Sequence, residues 1–370
     1  MNSSRRPAAA GAAAPPGPHT GTAADAVTAV VSAILITGLA GWARPQPPPG
    51  PWQPVAGPWG IPWHTVLGAG YLLTALWLLG LAVARRRAGA AVIPAGYRGA
   101  LAALPVIPVC LAADVLWRSR FGTDTGLAAL FEPGHVGLAT ALFVIASASV
   151  RAAAARTLPG QPVPLRQLWP ALLSTGTVTA LVLLCLGYAN AITYPAATIV
   201  DLLSQPDGPA VRGLASALVI SAAVLLIPLL YLARRWRIPF GAATLSTAPP
   251  IAVSAAGTGG GNLSVLVALA IAAVVVDLLA LCLDPCAARP AAYRAFATGA
   301  AFFTWSLYIG VAAAAAGRVP DTPGMWIGAP VVTAALAWLL AALMLPAPAA
   351  SPEPVTGPLA PDDPDPVGLR

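Results

Sequence analysis

Asp114, Arg118, Glu132 and His135 are the residues of this chain whose types and spacing lend themselves to chemistry. Asp114 and Arg118 lie one helical turn apart at the end of an apolar run over 101–117; a polar stretch, 119–131, follows, and a second apolar run opens with Glu132-Pro133-Gly134-His135. Carboxylates and an imidazole gathered at the mouths of two adjacent helices suit zinc, copper or iron. His64, at the start of an earlier apolar run, is a further candidate ligand. The same residues admit a simpler reading. Asp114 and Arg118, four apart on one helix, can close a local ion pair, leaving His64 and His135 as hydrogen-bonding residues at a membrane surface. A polar site for substrate or protons is the third alternative. Arg118 weighs against the metal, because a fixed positive charge one turn from a ligand opposes a bound cation.

Asp277 is the other chemically interesting group. It stands in Val274-Val275-Val276-Asp277-Leu278-Leu279, about 20 Å into its helix at 1.5 Å per residue. An acid at that depth marks an ion or proton path, or is held by hydrogen bonds within the bundle. No basic residue inside an apolar run offers itself as its partner, whereas Asp284, two turns on, is placed to meet Arg289 or Arg294. Cys282 and Cys286 form a C-x3-C pair with no histidine beside them, too little for a zinc site. The glycine run before Asn262 lacks the lysine of a phosphate loop. No Ser/His/Asp or Cys/His catalytic set can be assembled, so the sequence assigns no enzyme class.

The elements that must position these groups are membrane helices. Of 370 residues, 58% are hydrophobic and 9% charged, against about 25% charged in soluble domains; the mean hydropathy is +0.76. Ten apolar runs are long enough to cross a bilayer, with limits near 25–43, 61–84, 99–118, 133–150, 168–188, 211–233, 239–256, 263–283, 295–316 and 326–345. The expected fold is an all-α polytopic bundle, one domain over 24–346, with disordered tails at 1–23 and 347–370, both poor in groups that could form a core.

All 20 basic residues are arginine and most fall between the apolar runs. With the N-terminus cytoplasmic, fifteen lie inside and five (Arg44, Arg118, Arg120, Arg212 and Arg318) outside. That bias puts both chain ends in the cytoplasm and both helix-borne histidines, His64 and His135, on the outer face. Scattered arginines of this kind orient a membrane protein and exclude a nucleic-acid surface. The Ala-, Pro- and Arg-rich, lysine-free composition fits the plasma membrane of a high-GC bacterium.

Two runs admit a second reading. The first has small residues at Gly41-Trp42-Ala43, as a cleaved signal would, but it exceeds a signal core and is read as an anchor. The seventh contains Pro249-Pro250 and could be re-entrant; since that would move Arg289 and Arg294 outside, a kinked full span is expected. The proline-rich loop over 44–63, with Trp52, Trp59 and Trp63, is expected along the outer surface.

One resemblance attaches to residues 114–135. An Asp near the end of a helix, a position one turn later, Phe-Gly and acidic residues, and then Pro-x-His opening the next helix is similar to a copper-site helix pair found in one of the subunits of the copper membrane monooxygenases, the methane and ammonia oxidisers. The resemblance implies that Asp114 and His135 are metal ligands. The family's middle histidine falls at Arg118, which cannot bind metal, and the hairpin here is longer. It implies a distant, degenerate relative whose copper or zinc site is incomplete or rebuilt with His64 or Glu132. Three functions are therefore expected: a metal-site membrane protein, a secondary transporter using Asp277 and the seventh span, or a scaffold that binds a membrane partner or its own copies.

Overall fold

The computed structural model describes residues 21–44, 61–89, 93–122 and 128–345. The expected C-terminal tail, the N-terminal tail but for residues 21–23, and the loop with Trp52 and Trp59 lie outside them. Thirteen α-helices follow one another: α1 Thr22–Trp42, α2 Trp63–Arg87, α3 Arg98–Ala103, α4 Val106–Phe121, α5 Pro133–Ala146, α6 Ala148–Arg156, α7 Leu165–Cys185, α8 Ala196–Leu203, α9 Pro209–Arg235, α10 Ala242–Thr258, α11 Leu263–Leu283, α12 Pro290–Ala316 and α13 Pro323–Met344. In lipid the backbone must satisfy itself, which favours helix for every apolar run. Proline starts α5, α9, α12 and α13, where its missing N–H has no partner to lose. Gly259 and Gly317, both left-handed, end α10 and α12.

Nine segments are long and apolar enough to cross a membrane among the described residues, α3–α4 and α5–α6 each counting as one broken at Pro105 or Ser147. The expected ten becomes nine plus α10, which at 17 residues is about 25 Å long. Its shortness has a cause, because its first turn starts within the bundle against α11 rather than at the surface. The seventh run is nonetheless one continuous helix, not one interrupted at its prolines. Pro249 and Pro250 sit inside it and withdraw two backbone donors. Gly176 of α7 packs so tightly there that a Cβ would fall 2.2 Å from the Ser246 carbonyl oxygen; such close approach is what small residues give membrane helices.

Helix ends gather into two groups. At one end the start of α1 (Asp25), the end of α6 (Arg156), the end of α9 (Arg235 on the carbonyls of Ala154 and Thr157) and the α11–α12 turn (Asp284, 3.8 Å from Arg237 and 3.3 Å from Arg289) are tied together. Arg294, the other expected partner of Asp284, instead lies over the Trp338 ring. At the opposite end Arg44 meets Gly259, Asn262 binds the Ile192 carbonyl, and Arg318 pairs with Asp201.

Helices α1, α7 and α10 pack together at the centre of one half, and α9, α11, α12 and α13 make the other. The first apolar run is thus a core helix, with Leu35, Ile36 and Ala40 buried. α4 is peripheral; of its residues only Ile107 is buried, and Val109, Val115 and Leu116 face outward.

Candidate metal centre

Glycine spacing on α5 brings the candidate ligands together. A Cβ on Gly134 would lie 3.0 Å from the Cys110 carbonyl oxygen and 3.2 Å from the Asp114 nitrogen; one on Gly137 would lie 2.5 Å from the Cys110 sulfur. With only hydrogens there, the backbone of α5 rests on that of α4 and sets Asp114 beside His135.

Glu132 is the residue before α5, 3% exposed, and its backbone carbonyl accepts the N–H of Val136. Its Oε2 lies 2.9 Å from His135 Nδ1, close enough for an ion pair but not aligned as a hydrogen bond, and neither atom has a hydrogen-bond partner among the described residues. On the other edge of the imidazole, Nε2 is 3.9 Å from Asp114 Oδ1. Donor atoms of Asp114, Glu132 and His135 all fall within 4.8 Å of one another. A histidine that ligates a metal through one nitrogen commonly gives the other to a carboxylate. Here Glu132 can fix the ring through Nδ1 and leave Nε2 and Asp114 facing a shared point.

Arg118 Nε is 3.1 Å from Asp114 Oδ1, so the expected ion pair forms as well. The two readings are not exclusive. Arg118 is 41% exposed, and a pair that open to water is worth about 0–1 kcal/mol. A contact of that size does not by itself keep a cation from Asp114. With His135 neutral, Asp114, Glu132 and Arg118 sum to one negative charge, which attracts a cation. Of the four candidate ligands the structure joins three; His64, exposed on the first turn of α2, is not part of the group.

Asp277 is fully buried, and all its hydrogen bonds serve α10. Oδ1 accepts the N–H of Ala243 at 2.8 Å; Oδ2 accepts the N–H of Thr244 at 3.0 Å and its hydroxyl at 2.6 Å. Since Gly241 has no side chain to cap α10, Asp277 caps it from the neighbouring helix, where the positive end of the helix dipole favours a carboxylate. A proton path through this residue would have to open that cap. Asp277→Ala strands the buried N–H of Ala243 and the part-buried N–H of Thr244 and is expected to cost about 1–3 kcal/mol, whereas Asp277→Asn, keeping one acceptor oxygen, costs less. Thermal unfolding in detergent measures both, and equal losses would contradict the capping role.

Sequence reasoning misses Asp25. Only 1% exposed, it accepts the Tyr97 hydroxyl at 2.7 Å and pairs with Arg156. Ser149 donates to its backbone carbonyl at 2.8 Å, and the Trp77 indole donates to Thr28 one turn on at 2.9 Å. Four segments, α1, α2, the start of α3 and α6, thus meet on one carboxylate-bearing turn. It misses Asn262 too: buried in the glycine run, this residue donates to Ser254 Oγ at 2.9 Å and accepts the Thr258 hydroxyl at 2.6 Å, closing the end of α10. A lone acid in the first turn and an asparagine after glycines carry no local signal of such roles.

Comparison of the chain with protein-family models, with curated proteins and with solved structures finds no match in any of the three.

Proposed function

We propose that this integral membrane protein binds a divalent transition-metal ion, copper or zinc, between α4 and α5, through His135 and Asp114 with Glu132 behind the imidazole. The observation that carries the reading is the 2.9 Å approach of a buried Glu132 carboxylate to His135 Nδ1, with Asp114 on the ring's far side. Two residues that the resemblance to the copper membrane monooxygenases names as ligands, Asp114 and His135, are neighbours here, which supports it further. The arginine distribution supports placing the site on the outer face of a bacterial plasma membrane, with both chain ends in the cytoplasm. Its chemistry is metal capture or an accessory redox role; two ligating side chains leave positions open for water or for a partner's group.

The test is titration of chelator-stripped protein in detergent with Cu²⁺ and with Zn²⁺, followed by calorimetry and, for copper, by paramagnetic resonance. One equivalent should bind, with one nitrogen coupled to copper. His135→Ala and Asp114→Ala should abolish that binding, and Glu132→Gln should weaken it about 10–100-fold. Binding that survives His135→Ala unchanged, or none by the parent protein, overturns the proposal.

A second reading draws on α4. Its outward apolar side chains, among them Val109, Val115 and Leu116, would suit a membrane protein that offers the polar cluster as part of a contact surface. A fixed partner co-purifying without metal would favour it.

A further inference from the structure

We propose that the outer half of the α12–α13 pair is a binding groove for one phospholipid, selective for a zwitterionic amine headgroup. An apolar groove of about 770 Å³ runs between these helices, walled by Phe302, Ile309, Gly310, Ala313, Ile327 and Val331. It ends at the turn that carries Arg318, on the side away from the arginine-rich surface. Phe302, Ile327 and Val331 are exposed, so the groove opens outward, where lipid lies.

Apolar walls alone give no selection, since lipid tails are as apolar as the groove. Polar groups at its end supply it. The Trp326 indole nitrogen is sealed from solvent and has no hydrogen-bond partner among the described residues. Pro330, one turn later, has no N–H to give to the Trp326 carbonyl. A small rotation of the Trp326 side chain, which lines the groove, would turn this donor to the ester carbonyl of a glycerolipid, which lies just below the headgroup at the depth where Trp is favoured.

Charge then chooses the headgroup. Arg318 pairs with Asp201 and lies 3.9 Å from Asp321, all three well exposed. Two carboxylates about one guanidinium sum to one negative charge. A purely anionic headgroup meets net repulsion, whereas phosphatidylethanolamine can set its phosphate by Arg318 and its ammonium by Asp201 and Asp321. One unit of charge at a membrane surface is worth about fivefold in binding.

The full chain, reconstituted in bilayers of equal phosphatidylethanolamine and phosphatidylglycerol and released into mild detergent, is studied by native mass spectrometry. One phosphatidylethanolamine per chain should be retained, about fivefold over phosphatidylglycerol. Gly310→Leu should eliminate retention; a Cβ at Gly310 meets nothing within 4 Å, so the fold has room for the plug. Asp321→Asn, a surface change, should bring the preference toward unity. Equal retention of both lipids by the parent protein, retention indifferent to Gly310→Leu, or a dimer that Gly310→Leu splits would each overturn the proposal, the last by assigning the groove to a second copy of the chain.

Discussion

Alanine in place of Asp25 is expected to destabilise the bundle by about 3–5 kcal/mol, the range for removing one partner of a buried ion pair. The side chain is 1% exposed and Arg156 only 19%, so water cannot take the carboxylate's place beside the guanidinium. The Tyr97 hydroxyl loses its acceptor in the same step. Because α1, α3 and α6 meet through these contacts, the loss is distributed over three spans and should appear as a lowered unfolding midpoint in detergent. Asp25→Asn keeps a hydrogen-bond acceptor for Tyr97 but leaves Arg156 without this countercharge, so it should recover only part. Pairing Asp25→Asn with Arg156→Gln should recover more, since no charge then remains to be desolvated. A drop below about 1 kcal/mol for Asp25→Ala, the size of an ordinary surface change, would show that the network does not hold the arginine-rich end together.

Removing Arg118 should strengthen metal binding. A unit charge about 6 Å from a divalent ion in a water-like dielectric opposes it by ~1.4 kcal/mol, so Arg118→Ala is expected to tighten binding about tenfold. It also releases Asp114 Oδ1, now 3.1 Å from the guanidinium. Arg118→His should do more, because it removes the charge and supplies an imidazole where the resemblance places the middle ligand. Competition against a chelator of known affinity measures both. Unchanged or weaker binding in Arg118→Ala would mean that Asp114 faces the guanidinium alone, and that the α4–α5 cluster is an ion-pair network.

How far the site is legible in the sequence follows from where each signal resides. Asp114, Arg118, Glu132 and His135 are close in sequence, separated by one polar hairpin, so their meeting is nearly a local event. Gly134 and Gly137 are in plain view, but glycine has many uses, and only the backbone of α4 lying against them shows which one this is. His64 looks equivalent to His135 by depth alone; depth does not say which helix faces which, and it falls outside the cluster. Asp277 stands out in the sequence as a deep acid needing partners, yet the partners are backbone N–H groups of Ala243 and Thr244, which every residue but proline possesses. Asp25 reads in sequence as an ordinary first-turn acid; its partners Tyr97 and Arg156 lie 72 and 131 positions away.

The sequence by itself determined the class of the protein and, to within a few residues, where most of its long apolar helices lie, because lipid leaves a buried backbone little choice but helix and a run's length is a local quantity. The tertiary structure alone decided which helices touch. That choice turns on a few small residues and on polar groups that must find one another across the bundle. It joined His135 to Asp114 and Glu132, set Asp277 on the first turn of α10, and buried Asp25 against Arg156.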